Sequence, residues 1–145
     1  MPFSKILIAV DSSDYAVNAA KKGFELAQET NAAVALVFVV DAAKAIGNVD
    51  AGILPMEAEE MLRKEAQQTI DQLAEQSHDP SRLSKLTPEG NPQDEILQTA
   101  EDWGADLIVM GTHGRTGLVH FLVGSIAESV VRHSKVPVMV VPTKE

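Results

Sequence analysis

The sequence predicts a single α/β domain in which one doubly wound, mostly parallel sheet of five strands carries four helices on its two faces. Three observations predict this fold. Short, continuously apolar runs alternate with longer segments of helical periodicity, the order that strand–helix–strand crossovers produce. The length of 145 residues suits one ordinary domain and lets it bury a sizeable core. No internal repeat, low-complexity tract or composition break marks a second domain, so residues 1–145 are read as one unit.

The first run, Lys5 to Val10, is apolar throughout and ends at Asp11, as expected of a strand covered on both faces. Ser12 or Ser13 can cap the helix that follows, with Asp14 in its first turn. Ala16, Ala19, Ala20, Gly23, Leu26 and Ala27 recur at helical spacing up to a stop at Thr30-Asn31. Ala33 to Val40 reads as a second buried strand, and residues 41–55 as a long connection containing Gly47, Gly52 and Pro55. Met56 to Gln76 is the second helix, acidic at its start, with Met61, Leu62, Ile70 and Leu73 on one face.

Arg82 to Glu89, of mixed polarity, is the third strand. Asn91-Pro92-Gln93-Asp94-Glu95 is a strong helix start, and Gly104 a stop. Asp106 to Met110 forms the fourth strand. A glycine loop leads into a helix from Ser125 to His133, and Val136 to Val141 is the last strand.

Composition narrows function. No cysteine is present, which excludes disulfides, thiolate metal sites and thiol catalysis, and accords with a reducing compartment. The start of the chain has no signal-peptide pattern, and no apolar stretch approaches the roughly 18 residues that span a bilayer. A soluble cytoplasmic protein without membrane insertion is expected. The net charge of −9 disfavours nucleic acid as a partner. Charge is uneven, however: from Gly111 to Lys135, Arg115, Arg132 and Lys135 face a single acid, Glu128. A small polyphosphate suits that pattern.

In a doubly wound sheet, ligands bind beyond the carboxyl ends of the strands, where the strand order reverses. Asp11, the segment Val39-Val40-Asp41 and Gly111 all lie at such ends. The loop Gly111-Thr112-His113-Gly114-Arg115-Thr116-Gly117, continuing to Gly124-Ser125, lets backbone N–H groups approach an anion where no Cβ intervenes and delivers the chain to a helix N-terminus. It is neither a Walker A loop nor a dinucleotide fingerprint. From the residues alone, an anion-binding loop and a plain turn stand side by side.

Gly111, two residues, Gly114, nine residues and then Gly124-Ser125 resembles the ATP-binding signature of the universal stress protein family. Lys5 to Ser13 is similar to that family's first strand and acidic turn, and Ser134 to Val141 to its ending. The resemblance spans essentially the whole chain. It implies a Rossmann-like fold of the adenine nucleotide alpha hydrolase type. It further implies that Gly111, Gly114, Gly124 and Ser125 cradle the phosphates of ATP and that Asp11 receives hydrogen bonds from the ribose. By the same resemblance Val39 reads the adenine edge through its backbone, and Ala9 and Met110 line the base and sugar pocket. Ser12 departs from the glycine many members carry there. Mg²⁺ would ride mainly on the phosphates. The resemblance also implies a homodimer paired through the strand Val136 to Val141, and a regulatory protein partner of unknown identity.

Plainer roles stand beside these. Ser125-Ile126-Ala127-Glu128 has the pattern of a capping box. Asp11 can cap the first helix or shape its turn. Arg115 can contact phosphate or only solvate the loop. His113 reads as a polar loop residue, and Met56, Met61, Met110 and Met139 as core filler. No catalytic residue is assigned: no lysine follows the glycines and no general base is evident. A slow ATPase and a dimeric interaction module that binds no nucleotide are the alternative functions.

Overall fold

A computed structural model describes residues 3–44, 47, 49–112 and 124–142. Its elements follow the expected alternation: β1 (Lys5–Ala9), α1 (Asp14–Thr30), β2 (Ala33–Val37), α2 (Pro55–Ala74), β3 (Leu83–Leu86), α3 (Pro92–Trp103), β4 (Leu107–Gly111), α4 (Ser125–His133) and β5 (Val138–Val141). The strands form one sheet in the order β3-β2-β1-β4-β5, and every pairing is parallel. The order reverses between β1 and β4, which lie side by side with Ala9 opposite Met110.

Alternation along the central strands divides the core. Ile6, Ile8 and Val10 of the β1 segment point to the face covered by α1 and α2, where they meet Ala16, Ala20, Phe24, Ala66 and Ile70. Leu7 and Ala9 point to the opposite face, with Ile96 and Ala100 of α3 and Ala127 and Val130 of α4. This two-sided cover explains why β1, β2 and β4 read as unbroken apolar runs.

The helix boundaries have local causes. α1 stops at Asn31, whose φ of 58° is left-handed, a conformation asparagine tolerates better than most residues. In α3, the Asn91 side chain accepts from the Asp94 amide, Pro92 occupies the first turn and Gly104 closes the helix at φ 82°.

Several expectations need correction. The third strand is four residues long, not eight, and ends before Pro88. β2 ends at Val37 rather than Val40, although the Phe38 and Val40 amides still donate to Leu86 at the end of β3 and to Pro88 just past it. The connection from 41 to 55 contains two short 3-10 turns. β4 extends one residue further than expected, so Gly111 is a strand residue paired with Val141. In α2, Ala66 rather than Met61 supplies the buried face, and Met56, Met61 and Met139 are exposed. Of the four methionines expected in the core, only Met110 is buried. Among the described residues no helix is long and apolar enough to cross a membrane.

Candidate functional site

The carboxyl ends of β1 and β4 border the place where the strand order reverses, the usual crevice of such sheets. At the end of β1, the Val10 amide donates to the Val37 carbonyl, and the chain then leaves the sheet. Asp11 follows, half-buried. Its Oδ1 accepts hydrogen bonds from the Ser13 amide at 2.9 Å and from the Ser13 hydroxyl. Of the two plain roles open to Asp11, the structure thus shows the turn-shaping one. Ser13 holds the N-cap position of α1 but makes no side-chain cap, because its hydroxyl is turned to Asp11. Ser12 Oγ donates to Glu65 Oε2 at 2.7 Å, tying this turn to α2. Sequence patterns carry no signal for that long-range bond.

Val39 lies beyond the end of β2. Phe38 bonds to Leu86, while Val40 both donates to Pro88 and accepts from Gly90. Neighbouring peptide groups of an extended chain point to alternate edges. The Val39 N–H and C=O therefore face the other edge, towards the side where β1 has already turned away. A planar hydrogen-bonding ligand can meet both groups there. Ala9 and Met110, opposite one another in register, are buried on the α3 and α4 side of the sheet.

Beyond β4, the Thr112 amide donates to Val141 and the Thr112 carbonyl accepts from Gly124 at 2.5 Å. This last bond holds the two ends of the glycine loop together and places the first turn of α4 directly beside the end of β4. Gly114, Arg115 and His113 lie outside the described residues. Gly124, extended at φ −70° and ψ 164°, is the N-cap of α4, and Ser125 is its exposed first residue.

The capping box expected from Ser125 and Glu128 is not formed. Ser125 sits one position too late to cap, and Glu128 pairs with Arg132 at 3.0 Å. Glycine at the N-cap has no side chain to cap α4, and among the described residues no side chain caps it instead. Open N–H groups and the positive end of the helix dipole are the elements of an anion site.

The basic residues of this region separate into two groups. Arg132 is held by Glu128, and Lys135 lies 3.7 Å from Glu101. Both sit at the far end of α4, roughly 12 Å along the axis from Ser125. Neither lies at the start of α4, and Arg115 lies outside the described residues. Among the described residues, no group of three or more histidine or acidic side chains could hold a metal.

The sequence profile described as the universal stress protein family matches residues 2–142. The chain belongs to this family. Universal stress protein MJ0531 of Methanocaldococcus jannaschii is 37% identical over 151 aligned positions, which cover 99% of this chain and 85% of that protein. The solved structure of hypothetical protein MJ0577, from the same organism, superposes with a TM-score of 0.85 at 31% identity, covering 100% of this chain and 99% of that one. A universal stress protein solved in complex with cAMP superposes at 0.74 with 21% identity, covering 99% of this chain and 100% of that one. That last likeness bears on the fold, which is the universal stress protein fold throughout.

Proposed function

We propose that this universal stress protein is a cytoplasmic, homodimeric regulatory protein that binds ATP at the carboxyl ends of β1 and β4, and whose nucleotide state a protein partner senses. The observation that carries this reading is the uncapped N-terminus of α4, drawn beside the end of β4 by the Thr112–Gly124 hydrogen bond. Gly111, Gly114, Gly124 and Ser125 hold the phosphates, with Arg115 adding charge. Asp11 receives the ribose hydroxyls, the Val39 backbone reads the adenine edge, and Ala9 and Met110 underlie the base and sugar. Mg²⁺ enters on the phosphates.

Nucleotide released on denaturing the purified, undialysed protein, identified by chromatography and mass, tests the reading. Near-stoichiometric ATP or ADP supports it. No released nucleotide, together with no heat on titrating Mg-ATP, overturns it. A Gly114→Val variant should lose binding, because a branched side chain fills the space a phosphate needs.

A further inference from the structure

One turn of α2 reaches the carboxyl ends of three neighbouring strands, β3, β2 and β1. Ala66 of this turn is buried in the core beside Ile8 and Val10. Arg63 and Glu65 precede it and stand about 200° apart around the helix, so they reach in opposite directions. Glu65 accepts from the Ser12 hydroxyl at 2.7 Å, just past β1. Arg63 is held by Glu59 at 2.9 Å and is paired on its other side with Glu89, just past β3. Glu89 is in turn bridged to Val40: the Val40 amide donates to the Pro88 carbonyl at 2.8 Å, and the Val40 carbonyl accepts from the Gly90 amide at 3.0 Å. Ser12 and Val40 are thus each adjacent in sequence to a residue of the proposed site, Asp11 and Val39.

Neither link is needed to bury α2, since Ala66, Ile70 and Leu73 already do so. The Arg63 and Glu89 side chains are 44% and 38% exposed, and pairs of that exposure add little to stability. What the two links share is their place. From this juxtaposition we infer that Arg63 and Glu65 are positioning residues for the nucleoside half of the ligand, fixing the spacing between the turn that holds the ribose and the segment that reads the base. The inference rests on the proposed nucleotide site. Base and ribose are joined by a single bond, so their partners must be held to within about 0.5 Å of one spacing. The phosphate groups lie on the other side of β1, against β4 and α4, and do not depend on α2.

Titration calorimetry of the full chain with Mg-ATP and with inorganic tripolyphosphate separates the two halves. Ser12→Ala and Arg63→Met should each weaken ATP about three- to fivefold and leave tripolyphosphate unchanged. Arg63→Lys, which keeps the charge, should recover most of the loss. Lys85→Met breaks another exposed ion pair of α2, with Asp71 at 3.0 Å, and should change neither ligand. In the nucleotide-free chain, hydrogen exchange should quicken at the Ser13 amide in Ser12→Ala and at the Val40 amide in Arg63→Met. Equal losses for ATP and tripolyphosphate, a loss of the same size in Lys85→Met, or unchanged ATP affinity in Ser12→Ala and Arg63→Met overturns the inference and leaves the nucleotide site standing. Unchanged exchange at both amides does the same. A native chain that binds no ATP overturns the site and this inference with it.

Discussion

Gly111 lies against Tyr15 so closely that a β-carbon added to it would stand 3.0 Å from the Tyr15 Cβ and 3.1 Å from the Tyr15 carbonyl oxygen. Backbone is the obstacle, so no rotamer change relieves it. The glycine that opens the loop thus also lets the first turn of α1 pack on the end of β4. Gly111→Ala should therefore cost about 1–3 kcal/mol of stability, the usual range for overpacking a close contact. Urea denaturation of the nucleotide-free protein reads this directly. Unchanged stability would mean that α1 shifts freely, and that glycine is needed there only for a ligand.

The start of α4 separates capping from anion binding. Ser125→Asp places a negative charge in the first turn, which should stabilise the helix by about 0.3–1 kcal/mol. The same charge should repel phosphate and weaken ATP roughly tenfold or more. Thermal unfolding and titration calorimetry on one variant then move in opposite directions. A rise in melting temperature with unchanged affinity would remove the start of α4 from the nucleotide site.

Asp11 carries both a turn and, in the proposed function, the ribose. Asp11→Asn keeps an Oδ1 acceptor for Ser13 but loses the charge that strengthens hydrogen bonds from ribose hydroxyls. Affinity for ATP should fall about tenfold with little change in stability, whereas Asp11→Ala should lose both. If the asparagine variant binds ATP as tightly as the native chain, the carboxylate is only a turn element.

The parts legible from sequence are those governed by local rules. Buried parallel strands, the Asn91-Pro92 start and the Gly104 stop each have a one-dimensional signature; the helix start and stop fall where expected, while β2 ends three residues earlier than expected and β5 begins two residues later, at Val138. The third strand was overestimated because its half-buried residues do not alternate cleanly. The capping box at Ser125 failed for a different reason: Gly124 holds the N-cap of α4, so Ser125 falls inside the helix and Glu128 lies one position past N3. Gly111 against Tyr15 and Ser12 against Glu65 depend on three-dimensional placement, whereas the pairing of Arg132 with Glu128 is an i,i+4 contact within α4. Met61 was assigned to the core by its apolar type, yet its position on α2 turns it to solvent.

β5 forms one edge of the sheet. The amides of Ile108 and Thr112 bond to the carbonyls of Pro137 and Val141, so residues 137, 139 and 141 face β4. The peptide groups of Val138 and Val140 then point outward, to the open edge. Val140→Pro removes an outward N–H and leaves the β4 ladder intact, as proline at a strand edge does. The proposed homodimer should dissociate, read as a halved mass in sedimentation. A variant that remains dimeric would place the two-fold contact elsewhere.

At the opposite end of the sheet, Asp106 accepts from the Ser4 amide and hydroxyl, both at 2.9 Å, and from the Lys5 amide at 3.1 Å. Partial burial alone would raise this carboxyl, but the hydrogen bonds outweigh it and hold it below its ordinary 3.8. A carboxyl depressed on folding contributes stability above its unfolded value and loses it as pH falls through the folded one. Asp106→Asn, isosteric but without charge, should cost about 1 kcal/mol at neutral pH, the scale of the weakened hydrogen bonds. Towards about pH 2 the two proteins should converge as the native carboxyl is protonated. Urea denaturation of both at neutral and acid pH measures the difference in slope. Parallel profiles would show that the Ser4–Asp106 clasp orders the start of β1 without contributing to acid stability.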